Sequence, residues 1–303
     1  MANIPSWVYK LLIVLATIIW GFSFVVMKDV VAVLPPAWLL GMRFLFAGAL
    51  LLVILRKRVM RFCSRKVVTY GFILGVLDFT AFWLQTVGLK HTTPGINAFL
   101  TATYCVLVPF AWWLIARKRP TVFNIVAAIV AVCGIWLVSV SSSGETLSIG
   151  FGEAMTLGCA VAFAAHIVAV SKFAQKCDAL VLTVFQFIAE GALGIIFGAA
   201  TETFPGIAAF TPEIIGQMLF LAVFASVVAF GIQNVSLAHV PPTQASLLLS
   251  LESVFGVVFS ILLYGEQMTL RLVVGFVLIF AAIVISETLP LKEKPCRRKT
   301  TSS

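Results

Sequence analysis

Charged side chains are scarce in this chain of 303 residues: Asp, Glu, Lys and Arg make up 11%, while 61% of residues are hydrophobic and the mean hydropathy is +1.09. An ordinary soluble domain carries about 25% charged residues, so a soluble globule is excluded. Catalytic signatures are missing too. There is no H-E-x-x-H, no G-x-S-x-G and no P-loop, and the nearest approach to a dinucleotide fingerprint, Gly150-Phe151-Gly152, stops after two glycines. An enzyme is therefore not expected, and no cofactor is called for. The six cysteines, at 63, 105, 133, 159, 177 and 296, form no C-x-x-C, which indicates neither disulfides nor a zinc site.

What the chain has is long apolar runs. A membrane-spanning helix needs about 20 mostly apolar residues, and ten such runs can be marked: Tyr9–Met27, Ala37–Leu55, Val67–Leu89, Pro94–Ala116, Val122–Val140, Gly150–Ser171, Leu180–Ala200, Ile214–Leu237, Thr243–Tyr264 and Leu270–Ile285. They leave no room for a separate soluble domain. The first has no small-residue cleavage pattern behind it and reads as a retained helix, not a signal peptide. Pro35-Pro36, Pro94, Pro120, the Ser141–Gly144 stretch, Pro205-Gly206, Pro212 and Pro241-Pro242 punctuate the gaps.

The basic residues set the orientation. Alternate loops place 17 Lys and Arg on one side, in Lys10, the cluster Arg56 to Lys66, Arg117 to Arg119, Lys172, Lys176 and the tail from Lys292 to Lys299; only Lys28, Lys90 and Arg271 fall on the other. Such a split puts both termini in the cytoplasm and needs an even number of crossings. It accounts for the net charge of +9 without nucleic acid. The Arg56–Lys66 cluster reads first as a solvated loop that enforces topology, and in the alternative as a contact with anionic membrane lipid.

The two halves repeat one another. Ala81-Phe82, Gln85, Val87, Leu89, His91, Pro94 and Leu100 recur 148 residues later as Ala229-Phe230, Gln233, Val235, Leu237, His239, Pro242 and Leu248. An earlier register of 143 joins Phe44 and Gly48-Ala49-Leu50 to Phe187 and Gly191-Ala192-Leu193. Each half has an odd number of crossings, so the second copy enters from the opposite side: an inverted-topology repeat, recurrent in secondary transporters, with the substrate site where the halves meet. The expected units are 1–142, 143–290 and a basic cytoplasmic tail, 291–303.

Trp20-Gly21-Phe22-Ser23-Phe24 in the first run, Leu251-Glu252-Ser253-Val254-Phe255 and Tyr264-Gly265-Glu266-Gln267-Met268-Thr269 in the last pair give the chain its resemblance to the EamA family of drug/metabolite transporters, over nearly its whole length. Ser253 stands where that family often has proline, and Arg117-Lys118-Arg119 occupies the first-half place of the Gly-Glu pair. The resemblance implies an all-α protein of the inner membrane that moves small metabolites, frequently outward, without ATP.

Ionisable groups in a bilayer cost roughly 2.5–3.5 kcal/mol near a helix centre, so their positions are functional candidates. Asp78 shares a helix face with Phe82 and Gln85; it either accepts a proton or an amine, or pairs with Arg43 to fix packing. Arg43 is the candidate for an anionic group. Glu252 shares a face with Gln244, and the repeat places it opposite Tyr104, which continues a stripe with Asn97 and Thr101. That stripe lines a chamber or makes interhelical hydrogen bonds. His166 is a proton relay or a hydrogen-bonded packing residue. Glu190, among Gly191, Gly194 and Gly198, ranks below these and marks close helix packing. Trp20, Phe82 and Trp83 are candidates for an apolar lining, and Trp112-Trp113 for an interfacial anchor.

The expected function is a secondary carrier, an exporter of amino acids or amphipathic compounds working by alternating access. Protons are a candidate coupling ion, and the oligomeric state is left open, a monomer included. The alternatives are a passive channel or facilitator, which would favour repeated polar rings, and a membrane scaffold or receptor, which needs no paired intramembrane carboxylates.

Overall fold

A computed structural model describes residues 5–117, 119–139, 149–174, 176–237 and 248–289. They form helices: α1 (Ser6–Val33), α2 (Pro36–Ile54), α3 (Arg56–Phe62), α4 (Arg65–His91), α5 (Pro94–Ala102), α6 (Tyr104–Ala116), α7 (Val122–Ser139), α8 (Phe151–Phe173), α9 (Ala179–Thr201), α10 (Pro212–Phe220), α11 (Ala229–Leu237), α12 (Leu251–Phe259) and α13 (Leu270–Thr288). Among the described residues, seven helical stretches are long and apolar enough to cross a membrane, and three shorter ones, Val122–Val138, Leu251–Tyr264 and Leu270–Ser286, are also apolar. The protein is an all-helical, multi-pass membrane protein.

Helix starts follow local chemistry. Pro36, Pro94 and Pro212 occupy the first turn, where a missing N–H costs nothing. Ser64, Thr93, Asp178, Thr211 and Thr269 cap the following helices by accepting a backbone N–H. The run from Pro94 to Ala116, expected as one helix, is broken at Thr103, whose hydroxyl donates to the Leu100 carbonyl at 2.6 Å and competes with the backbone ladder. The run toward Leu237 is likewise interrupted by a π-helical stretch, Leu221–Val228, joining α10 to α11. A second π turn, Ser260–Tyr264, ends the span begun by α12.

The Arg56–Lys66 segment, expected as a solvated loop, is instead largely helical as α3. Val59 is buried on its inner side, and Arg58 reaches across to Asp178 at 2.8 Å, which gives the short helix a fixed seat. Desolvation alone would raise the Asp178 pKa, but hydrogen bonds from Arg58 and the Val181 N–H, with the Arg58 charge, outweigh it and hold the carboxyl below its ordinary range.

Helix directions can be read from glycine contacts. Along α2, Trp38, Gly41, Leu45 and Gly48 meet Gly198, Ile195, Gly191 and Ile188 of α9 in that order, so the two helices are antiparallel. A methyl on Gly194 would come within 2.6 Å of the Gly41 Cα. Small residues thus let the backbones touch, as dispersion-driven packing in lipid requires. Gly48 rests on Ile188 while Gly191 rests on Leu45; the 143-residue offset relates Leu45 to Ile188 and Gly48 to Gly191, so the crossing is locally two-fold symmetric. α7 and α13 are also antiparallel, with Asn124, Gly134 and Val138 against Ser286, Ile279 and Gly275. α4 runs antiparallel to α8 but parallel to α9, where Gly71 and Gly75 meet Phe185 and Ala189. The first helix lies beside the span of α12, with Gly21 on Phe255 and Lys28 over the Tyr264 ring.

Candidate functional site

α2, α4, α8 and α9 bring four of the expected polar residues together. Asp78 is fully buried on α4, and its Oδ2 accepts a 2.6 Å hydrogen bond from Gln186 Nε2 on α9. Its Oδ1 lies 3.6 Å from His166 Nδ1 on α8. Arg43 is 2% exposed; its Nε donates to Ser226 Oγ at 3.0 Å and its Nη1 lies 3.7 Å from Met27 Sδ. The guanidinium also lies over the rings of Phe44 and Phe82, at 4.8 and 5.3 Å. The direct Asp78–Arg43 pair left open by the sequence is not among the ion pairs formed: Asp78 takes Gln186 and His166, and Arg43 takes a hydroxyl, a thioether and two aromatic faces. Glu190, ranked lower from the sequence, belongs to the same cluster, interacting with both Asp78 and Arg43 from one turn beyond Gln186. The signal that could have raised it was Gln186 and Glu190 at i and i+4 on one face of a glycine-rich helix.

Phe82 separates this cluster from a second polar group, packing edge-on against Phe163 at 5.1 Å. Beyond it the expected Asn97–Thr101–Tyr104 stripe divides. Asn97 Nδ2 donates to Thr156 Oγ1 at 2.8 Å and to the Gln85 carbonyl at 3.2 Å, and Gln85 Nε2 donates to Thr101 Oγ1 at 3.2 Å. These four residues, with Thr156 supplied by α8, tie α4, α5 and α8 together. Tyr104, placed on the next helix by the break at Thr103, points its hydroxyl at Glu252 Oε1, 3.4 Å away. Both are half-buried, unlike the sealed residues around Asp78. Cys159 of α8, near Thr101, lies within electrostatic reach of both Glu252 and Asp78 and so sits between the two groups. Gln244, expected beside Glu252, falls outside the described residues, as do His239 and the basic tail.

Trp20 is half-buried and donates from Nε1 to the Ala225 carbonyl at 2.8 Å, with Phe230 edge-on at 5.3 Å. Both Ala225 and the Arg43 partner Ser226 belong to the π-helical stretch, whose widened turn presents backbone and hydroxyl groups that a regular helix would keep to itself. Trp83 packs outside the cluster, against Phe197. Two shallow hollows, around Val68, Phe72 and Ile196 and around Phe110 and Ile129, are apolar and flanked by exposed residues; neither touches the polar groups.

The end of the bundle opposite the basic loops is bound by charges at helix termini. Lys28 Nζ donates to the carbonyls of Leu89 and Thr92 at 2.7 and 2.8 Å, where the last turn of α4 leaves acceptors open. Glu202 accepts from the Ala37 and Trp38 N–H groups at the start of α2. Glu266 accepts from Thr93 Oγ1, Ser260 Oγ and the Gly95 N–H, joining the start of α5 to the second π turn.

Among known proteins, an uncharacterized transporter from Archaeoglobus fulgidus is 29% identical over 89% of this chain and 83% of its own. The uncharacterized transporter YvbV of Bacillus subtilis is 27% identical over 95% and 94%, and protein PagO of Salmonella typhimurium 26% over 95% and 96%. A crystal structure only 17% identical shares the fold, with a TM-score of 0.65 over 91% of this chain and 95% of that one. The EamA-like transporter model matches residues 7–140 and again 150–288, and the chain belongs to that family of membrane transporters.

Proposed function

We propose that this transporter is a secondary carrier of the inner membrane that exports a small, partly apolar metabolite, an amino acid or amphipathic compound, by alternating access between two inverted five-helix units, residues 1–142 and 143–290. The observation that carries this reading is the half-buried Tyr104–Glu252 pair: one partner comes from each family-matched stretch, and the two meet beside a sealed charged cluster. The two separate family matches support the duplication. So does the packing: exchanging each span for its counterpart five crossings later maps α2–α9 and α7–α13 onto themselves, and α4–α8 onto the contact of α1 with α10 and α11. The antiparallel course of α2 and α9 supports inversion, since copies facing the same way would run those helices parallel.

In this reading ten spans place both termini in the cytoplasm, at the end where α3 carries Arg56, Lys57, Arg58 and Arg61. Glu252, Tyr104, Trp20 and Phe82 face the substrate, an aromatic wall with one acidic contact suited to an amine-bearing or proton-exchanging ligand. Arg43, whose hydrogen bond goes to the neutral Ser226 hydroxyl, is the candidate contact for an anionic group. Asn97, Thr101 and Gln85 are structural ties. A melting screen over amino acids, amines and nucleobase derivatives tests the chamber: a selective ligand raises the wild-type Tm and loses that effect in Glu252→Gln. A ligand that stabilises both proteins equally contradicts the assigned role of Glu252.

A further inference from the structure

Glu190 is 0% exposed, and neither of its carboxyl oxygens has a hydrogen-bond partner among the described residues. Its carboxyl faces that of Asp78 across the α4–α9 contact. Gly75 makes this meeting possible: one turn before Asp78, it brings the α4 backbone against Ala189 and the Glu190 N atom, where any side chain would intrude. Two ionised carboxylates in contact are both acceptors, so nothing would bond them.

The charge count is equally pointed. One guanidinium, Arg43, stands near two carboxyls, which leaves an unbalanced negative charge in a buried cluster if both are ionised and His166 is neutral. Buried carboxyls in contact do not both ionise, and an unpaired buried charge costs several kcal/mol. A single proton removes the excess charge and turns the acceptor–acceptor contact into a hydrogen bond. Asp78 has a donor that favours an anion, Gln186 Nε2 on Oδ2; Glu190 has none among the described residues.

We propose that Asp78 and Glu190 bind one exchangeable proton, carried on Glu190 and donated to Asp78, with Arg43 as the fixed cation. Release passes the proton by way of Asp78 to His166 Nδ1, 3.6 Å from Asp78 Oδ1, so that the imidazolium balances Asp78 and Arg43 balances Glu190. The groups facing the pair are Arg43 from α2, His166 and Cys159 from α8 and Gln186 from α9 itself; α11 contributes Phe230, packed on Phe187, and Arg58 of α3 engages Asp178 at the far end of α9. This deepens the carrier reading by naming the coupling ion and its site, and its role in transport rests on that reading.

The site is testable without a substrate. Infrared difference spectra of the purified full-length protein in nanodiscs, recorded while the pH is stepped, report protonated carboxyls through their C=O stretch. Wild type is expected to show a band at neutral pH that moves in D2O and is lost on alkaline titration. Glu190→Gln abolishes it, Glu252→Gln retains it, and Asp78→Asn shifts its frequency and its titration. Gln keeps the volume and donor of the protonated acid, so Glu190→Gln is expected to melt near wild type; if it fails to fold, the Asp78→Asn spectrum decides. A band unchanged by both Glu190→Gln and Asp78→Asn, or one that never titrates, overturns the proposal. Failure of the carrier reading would show separately, as absent exchange in vesicles alongside an intact titrating band.

Discussion

Gln186 Nε2 donates a 2.6 Å hydrogen bond to Asp78 Oδ2 across the parallel contact of α4 and α9. Through this bond an intramembrane carboxylate acquires a neutral partner, and Arg43 is left without an ion pair. Asp78→Asn is accordingly expected to preserve the fold and to slow exchange at least tenfold, an effect of about 1.4 kcal/mol. Initial rates in proteoliposomes at several pH values check it. Normal transport in both Asp78→Asn and Glu252→Gln, with unchanged pH dependence, would refute the roles given to these acids.

Tyr104→Phe removes the hydroxyl that approaches Glu252 and leaves the aromatic wall in place. A single hydrogen bond contributes about 1 kcal/mol, so apparent ligand affinity should fall about fivefold with little change in Tm. Titration of the melting shift against ligand concentration measures this.

The α2–α9 crossing predicts a sharp positional contrast. Gly194→Leu drives a side chain into Gly41 and Ala37, and overpacking of this kind costs about 1–3 kcal/mol or more. Gly216, in α10, has nothing within 4 Å of the same position, so Gly216→Ala should be neutral or gain up to about 1 kcal/mol of helix propensity. Thermal melts in one detergent compare the two directly.

Much of this framework was legible in the sequence. Proline and capping residues marked the helix starts, because each acts on its own backbone. The Asp78–Phe82–Gln85 face followed from helical spacing. The partners did not. That Asp78 meets Gln186, and that Glu190 joins them, depends on α4 and α9 lying parallel with Gly71 and Gly75 between them, a tertiary fact no single helix records. The break at Thr103 escaped notice because a threonine inside an apolar run ordinarily continues the helix. That break separates Tyr104 from the stripe of Asn97 and Thr101. The π stretch at Leu221–Val228 carries no proline or glycine to announce it.

Asp178 offers a pH test outside the membrane. Its folded pKa is depressed by Arg58 and the Val181 N–H, which outweigh the opposing desolvation. Its contribution to stability is therefore present above its unfolded pKa of about 3.9 and is lost as pH falls through the lower folded value. Asp178→Asn should melt below wild type at neutral pH, and the gap should close under acid. A gap that stays constant down to the lowest pH at which the protein folds would contradict the pairing.

Glu266→Ala strands the Gly95 N–H and two hydroxyls at the end opposite the basic loops. A lost partner at a buried donor costs about 1–3 kcal/mol, so Tm should drop, and exchange should shift toward openness on that side. Labelling of a cysteine placed at Ala98, with and without the Glu266 change, reports the opening.

Counterflow in proteoliposomes, using a ligand that raises the melting temperature, tests the central claim most directly. Alternating access predicts that unlabelled ligand loaded inside accelerates entry of labelled ligand and drives its transient accumulation above equilibrium. Entry at a rate indifferent to ligand on the far side, or no entry of a ligand that binds, would contradict a carrier.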